Sequence, residues 1–223
     1  MSVITISRDF GSEGEYIAEK IAQTLSYHFV DKEFFGTVLK GYGLIEFDAE
    51  YDALPSFLEK LTDEHRIDRR DTAVHMLNRA IRAAAQHGNV VILGRSGFEV
   101  LAPFADILHV RLQAPLAVRV TRVMKELKIP LEEAEDFLKE NDKVHLAFTQ
   151  EYYKIPWDAI HAFDLVINTN KVSPDLAVTW VVDAVKALGS AKNVGRPTLG
   201  SLEIDPILKK TVTDALKCQT THK

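Results

Sequence analysis

The sequence predicts an α/β fold, a parallel sheet with helices packed on both faces. Three observations point there: five short and nearly continuous apolar runs, amphipathic stretches at helical spacing between them, and a glycine-containing turn between the first run and the first helix. Nearly continuous apolar strands are expected where both faces of a sheet are buried. Strands alternating with helices imply right-handed crossovers. In such sheets ligands bind beyond the C-terminal ends of the strands.

The first run is VITIS at 3–7, followed by a turn at GSEG and by Tyr16, Ile17, Lys20, Ile21, Thr24 and Leu25 at helical spacing. This reads as strand, turn, helix. A second run, YHFVDK, lies at 27–32, and a helix-rich insert of mixed charge follows at 33–87. NVVILGR at 89–95, ILHVRL at 107–112 and FDLVIN at 163–168 complete the five strands. Between the last two, the stretch 125–160 departs from simple alternation, and like the insert it is placed to fold over a ligand. GSAKNVGRPTLG at 189–200 is rich in turn residues, and Ile204, Leu208, Val212, Ala215 and Leu216 then recur near helical spacing. The expected organisation is one domain over 1–188 and a linker with a C-terminal helical arm over 189–223.

Composition narrows the function. The chain has 223 residues, 46% apolar and 26% charged, and carries a formal charge of -5. A chain of this size buries roughly 70% of its unfolded surface and needs no disulfide or metal staple. A net negative chain is poorly suited to grip nucleic acid through its backbone phosphates. Its single cysteine, Cys218, has no intrachain partner, and no run approaches the ~20 apolar residues of a membrane span. Charge arrives in SVITISRD before a signal-peptide core could develop, so the chain reads as cytoplasmic. The tail 190–223 holds six Lys/Arg against three Asp/Glu, net +3, leaving 21 against 29, net -8, on 1–189. The arm suits either a homodimer contact or folding back onto its own domain. Asp71 and His75 share a helical face with no third well-spaced ligand, so no metal site is assigned.

A strand, a glycine turn and a helix form the usual cradle for phosphate, because unpaired N–H groups and the positive helix end point outward. The pattern G-x-x-x-x-G-K-[ST] laid over 8–15 meets Arg8, Glu13, Gly14 and Glu15, so only Gly11 and Ser12 keep the turn. A carboxylate ~8 Å from one phosphate charge costs about 2 kcal/mol at an effective dielectric of ~20. The same residues also fit a capping box, with Ser12 and Glu15 satisfying the first helical amides.

Several separated stretches nevertheless agree in order with one known family. ITISRDFGSEGEYIAEKIA, HFVDKEFF, NVVILGRSG, VRLQAPLAVRVTRVMKE, DKVHLAF and IPWDAIHAFDLVINTN resemble the cytidylate kinase-like family, a branch of the nucleoside monophosphate kinases. The resemblance covers roughly 1–187, and its most specific parts are ISR-x-x-G-S, V-D-K-E, L-G-R and D-L-V-I-N-T. It implies a P-loop kinase-like three-layer α/β/α fold with a five-stranded parallel sheet, an acceptor-binding helical insert at 33–87 and a lid at about 125–150. The implied reaction is phosphoryl transfer from Mg-ATP to a nucleoside monophosphate such as CMP or dCMP, which needs positioning and charge neutralisation but no protein nucleophile.

Carried over residue by residue, the resemblance puts Gly11, Ser12 and Gly14 along the donor phosphates with Arg8 beside them. It places Asp31 and Lys32 toward the acceptor, with Arg95 gripping the acceptor phosphate through its planar fork. Arg119 and Arg122, three apart on a helix, would both face the donor at the base of the lid, and Asp142 and His145 belong to the lid itself. Trp157 and Asn168 are assigned to packing and turn geometry. Three positions depart from the family, which keeps glycine at Glu13, arginine at Glu15 and arginine at His145. All three lower the positive charge around the triphosphate. An alternative follows: a catalytically impaired pseudokinase acting as a nucleotide-binding or scaffold protein, its donor site blocked by Glu13 or Glu15.

Overall fold

The computed structural model describes residues 2–42, 64–155, 159–189 and 195–220. Five parallel strands form one sheet in the order β2-β3-β1-β4-β5, with β1 at Val3–Arg8, β2 at His28–Val30, β3 at Val90–Leu93, β4 at Ile107–Gln113 and β5 at Leu165–Asn168. Eight helices are described: α1 (Gly14–Leu25), α2 (Lys32–Gly41), α3 (Glu64–His87), α4 (Gly97–Val100), α5 (Leu116–Leu127), α6 (Leu131–Tyr153), α7 (Pro174–Gly189) and α8 (Pro206–Thr220). The expected insert 33–87 lies partly outside the described residues, as does Trp157.

Strand alternation builds two cores. Ile4 and Ile6 of β1, Val91 and Leu93 of β3, and Leu108, Val110 and Leu112 of β4 face α1 and α7. There Ile17, Ala18, Ile21 and Ala22 form one buried stripe of α1, at the spacing that puts residues on a single helical face. On the opposite face Val3, Val90, Ile92 and Ile107 pack against α2, α3 and α8.

That second face is not apolar along its whole length. Thr5, Ser7, His109 and Arg111 are all buried there. They pair with one another and with the loop: Thr5 Oγ1 lies 2.7 Å from His109 Nδ1, and Arg111 donates to Ser7 Oγ at 2.8 Å and to Asp9 Oδ1 at 2.5 Å. Buried polar groups require such partners, and this network forms the floor under the C-terminal edge of the sheet. Burial lowers the pKa of both His109 and Arg111.

The C-terminal arm folds back on its own domain, one of the two arrangements expected of it. Leu208, Val212 and Leu216 are buried in the same core as Val3, Phe35 and Leu77. Asp205 caps α8 by accepting from Ile207 N and Leu208 N at 3.1 and 2.9 Å, and Tyr42 donates to the same carboxylate. Ahead of it, Leu199 N donates to Asp106, and Gln86 Nε2 donates to the Leu202 carbonyl. The physical reason is that α2 and α3 leave an apolar face which the sheet cannot cover. Among the described residues no helix is long and apolar enough to cross a membrane.

Candidate functional site

β1 delivers the chain into the turn Asp9–Glu13, where α1 begins. Ser12 is fully buried and its hydroxyl donates inward, to the Asp9 carbonyl at 2.7 Å, so it does not cap α1. The capping-box expectation is therefore corrected. The residue before the helix is Glu13, in the left-handed region at φ 63, and it makes no side-chain cap bond. Its carboxylate turns away to Arg122, with Oε1 3.3 Å from Nε. The first amides of α1, orphaned as in every helix, are thus not saturated by Glu13. The serine lost its capping position because the turn buries it against β4.

Arg122 holds this turn together. Its guanidinium donates to the Gly11 carbonyl at 3.1 Å, to Thr169 Oγ1 at 3.0 Å and to the Thr169 carbonyl at 2.8 Å. Thr169 in turn donates to the Ser12 carbonyl at 3.0 Å. Gly11 has φ +77, and a Cβ there would meet the Arg119 carbonyl at 3.1 Å, so the turn is pressed onto α5. Arg119 is buried and forms a two-pronged pair with Asp142 of α6, at 3.0 and 2.7 Å, with a longer contact to the Phe10 carbonyl. The ring of Phe10 meets Phe137 edge-on at 5.1 Å. The region expected as a lid at about 125–150 is occupied mostly by α6, and these contacts fasten α5 and α6 to the turn before α1.

Beneath α6 lies a cavity of about 440 Å³ at the C-terminal edge of the sheet. Arg8 enters it from β1, Asp31, Lys32 and Glu33 from the start of α2, and Arg95 and Ser96 from the turn after β3. Asn141, Val144, His145, Phe148 and Thr149 of α6 form the roof at helical spacing. Asp31 is fixed by accepting from Phe34 N at 2.9 Å, the N-cap bond of α2. The turn after β3 closes through Gly97 N donating to the Gly94 carbonyl at 3.0 Å, and Gly94, Arg95 and Ser96 are all left-handed. Holding two non-glycine residues there costs about 1–2 kcal/mol each, a strain that concentrates at functional turns.

Charge is concentrated in this cavity. Burial and then the neighbouring Arg95 lower the Arg8 pKa, while Glu15 pulls it up. His145 is pushed down to about 4 by burial first, then by Arg8 and Arg95, with Asp142 opposing. The imidazole is neutral near pH 7 and faces a cationic wall, an arrangement suited to an anion.

Of the residues assigned from sequence, Arg8, Asp31, Lys32, Arg95 and His145 line the cavity. Gly11, Ser12, Gly14, Arg119, Arg122 and Asp142 do not line it; Arg119 is engaged by Asp142, and Arg122 by Glu13, Gly11 and Thr169, so neither arginine points into the cavity as expected. Sequence reasoning missed Asn141, Glu33, Arg111 and Thr169. The i, i+3, i+4 spacing of Asn141, Val144 and His145 was available as a signal, but the partners of Arg111 and Thr169 lie about a hundred or more residues away in some cases and leave no local pattern. Asn168 does serve turn geometry, its Oδ1 accepting from Asn170 N at 3.0 Å.

The cytidylate kinase-like family matches this chain over residues 3–171. The chain belongs to that family. A relative from Ignicoccus hospitalis, named cytidylate kinase, is 30% identical over 187 residues, spanning 81% of this chain and 97% of the relative. A crystal structure of an uncharacterized protein from Eubacterium ventriosum shares the fold with a TM-score of 0.65 at 20% identity, covering 84% of this chain and 99% of that one. An unliganded sugar kinase from Janibacter sp. shares it with a TM-score of 0.51 at 15% identity, covering 86% and 99%. Family membership and the strand order make this a P-loop kinase-like α/β fold, and a kinase-type enzyme.

Proposed function

We propose that the chain is a nucleoside monophosphate kinase, moving the terminal phosphoryl group of Mg-ATP to CMP or dCMP in the cytoplasm. The observation that carries this reading is the convergence of Arg8 and Arg95 on a lid-covered cavity beside a helix N-terminus that Glu13 does not cap. The family relative named cytidylate kinase supports the choice of acceptor.

Arg95 grips the acceptor phosphate, its fork presented by the left-handed turn, and Lys32 adds a second charge. Asp31, anchored by its cap bond, orients the acceptor against the start of α2. Gly11, Ser12 and Gly14 carry the backbone amides that receive the donor phosphates. Arg122 and Arg119 act at the lid base, holding the turn and α6 in register. An oxygen of the acceptor phosphate then attacks the terminal phosphorus, the bond to the bridging oxygen breaks, and ADP leaves. No side chain needs to form a bond to the phosphoryl group. His145 and the apolar roof of Val144 and Phe148 exclude water, which would otherwise compete as acceptor.

No group of three metal-ligating side chains occurs among the described residues. Mg²⁺ is held mainly by substrate phosphates and water with one or two carboxylates. Glu15, exposed on the cavity wall, would hold it. When bound, the ion neutralises charge on the phosphate oxygens.

The blocked-site alternative rests on the acids at 13 and 15. A calorimetric titration with Mg-ATP separates the two readings. Micromolar binding supports the kinase. Binding of CMP alone, with no response to Mg-ATP, supports a nucleotide-binding protein without transfer activity.

A further inference from the structure

The phosphate loop of this chain has glycine where the G-x-x-x-x-G-K-[ST] pattern has lysine, and Arg8 where that pattern has its first glycine. The structure links the two changes. A Cβ at position 14 would stand 2.5 Å from Arg8 Cγ and 2.7 Å from Arg8 Cβ, distances that side-chain atoms do not tolerate. The stem of Arg8 therefore lies across the first turn of α1. Its head reaches the turn after β3, where a Cβ at Gly94 would stand 3.3 Å from Arg8 Nη1. Any side chain at position 14 and the observed course of Arg8 exclude each other. The cation has changed its point of entry, from the helix to the end of β1.

We propose that Arg8 is the catalytic cation that replaces the loop lysine, its guanidinium spanning from the donor loop to the acceptor turn at Arg95 and binding the phosphoryl group in transit. The glycine at 14 is then the space that this arginine needs. A planar fork suits the role, since it presents several N–H groups to the oxygens of one phosphoryl group. This inference rests on the kinase reading and assigns a role within it.

The test uses the full chain with five variants. Arg8→Met keeps the stem on Gly14 and removes the charge. It is expected to lower kcat about 10²-fold or more, as loss of a transition-state donor does, with the CMP dissociation constant within about threefold of wild type and the melting temperature little changed. Gly14→Ala in the wild-type background is expected to lower the melting temperature, and the same change beside Arg8→Gly is expected to cost much less, because the Cβ and Cγ that it would strike are both gone. Arg8→Gly with Gly14→Lys is expected to regain at least tenfold of the turnover that Arg8→Gly loses. If Arg8→Met keeps kcat within threefold of wild type, or the swap recovers nothing, the inference is overturned. Should the wild-type chain turn over no acceptor, the kinase reading falls by itself. Arg8 is then judged by Mg-ATP affinity, and an unchanged affinity in Arg8→Met, or no binding by wild type, overturns the inference as well.

Discussion

Glu13 and Arg122 meet across the mouth of the first crossover, carboxylate oxygen to guanidinium nitrogen at 3.3 Å, and this contact draws the acid away from the helix amides. Glu13 is also left-handed, a conformation that glycine adopts without cost. Replacing Glu13 by Gly removes the strain, about 1 kcal/mol, and a partly exposed ion pair that contributes up to about 1 kcal/mol. Thermal unfolding should therefore change little. Loss of a negative charge near the triphosphate should tighten Mg-ATP binding several-fold in a calorimetric titration, and an unchanged constant would show that Glu13 is electrostatically remote from the donor.

The two-pronged pair of Arg119 and Asp142 fastens α5 to α6, and Arg119 is far more buried than its partner. Asp142→Asn leaves a buried guanidinium partly unpaired, at a cost of about 1–3 kcal/mol once the exposure of Asp142 is discounted. Urea unfolding should show that loss, and limited proteolysis should cut α6 faster. Equal protection of α6 in the variant would mean that other contacts hold it in place.

The pH dependence of stability has a defined sign at His145. Its folded pKa of about 4 lies below the ordinary value of 6.5 because burial and then Arg8 and Arg95 disfavour the charged ring, with Arg111 adding to them and Asp142 opposing. Between those two values the unfolded chain binds the proton that the folded chain refuses. The stability is fully present above about pH 6.5 and falls as pH drops toward 4, by up to roughly 3 kcal/mol. His145→Gln should flatten that part of the curve when urea midpoints are compared at pH 7.5 and pH 5. A wild-type curve that is already flat contradicts the burial of the ring against the arginines.

The C-terminal arm belongs to the core of its own chain. Leu216 is fully buried against the apolar face shared by α2 and α3. Leu216→Ala should cost about 2–5 kcal/mol, as cavity-forming substitutions do, while the native mass measured by light scattering stays that of wild type. A change of mass with little loss of stability would return the arm to a dimer contact.

Much of this was legible in the sequence because it is local. VITIS and the stripe of Ile17 and Ile21 fixed a strand and a helix, and Arg95 could be placed at a strand end from LGR alone. The path of Glu13 was not legible, since a left-handed glutamate has no sequence signature and its partner Arg122 stands more than a hundred residues away. Ser12 matched a capping box by spacing, but burial against β4 outweighed that local preference. The polar floor of Thr5, His109 and Arg111 was hidden inside strands that read as apolar. The arm's apolar spacing was visible, while the surface it covers emerges only when α2 and α3 are packed together.

The acceptor nucleotide is proposed to lie in the cavity beneath α6, held by Arg95. Phosphorus NMR of Mg-ATP mixed with CMP follows the chemistry directly. With the wild-type chain, ADP and CDP resonances should grow as ATP is consumed, and Arg95→Ala should slow that conversion about 10²-fold or more, the scale of losing a charge-assisted donor to a reacting phosphate. An unchanged ATP spectrum with the wild-type chain, or equal conversion by the two proteins, would contradict it.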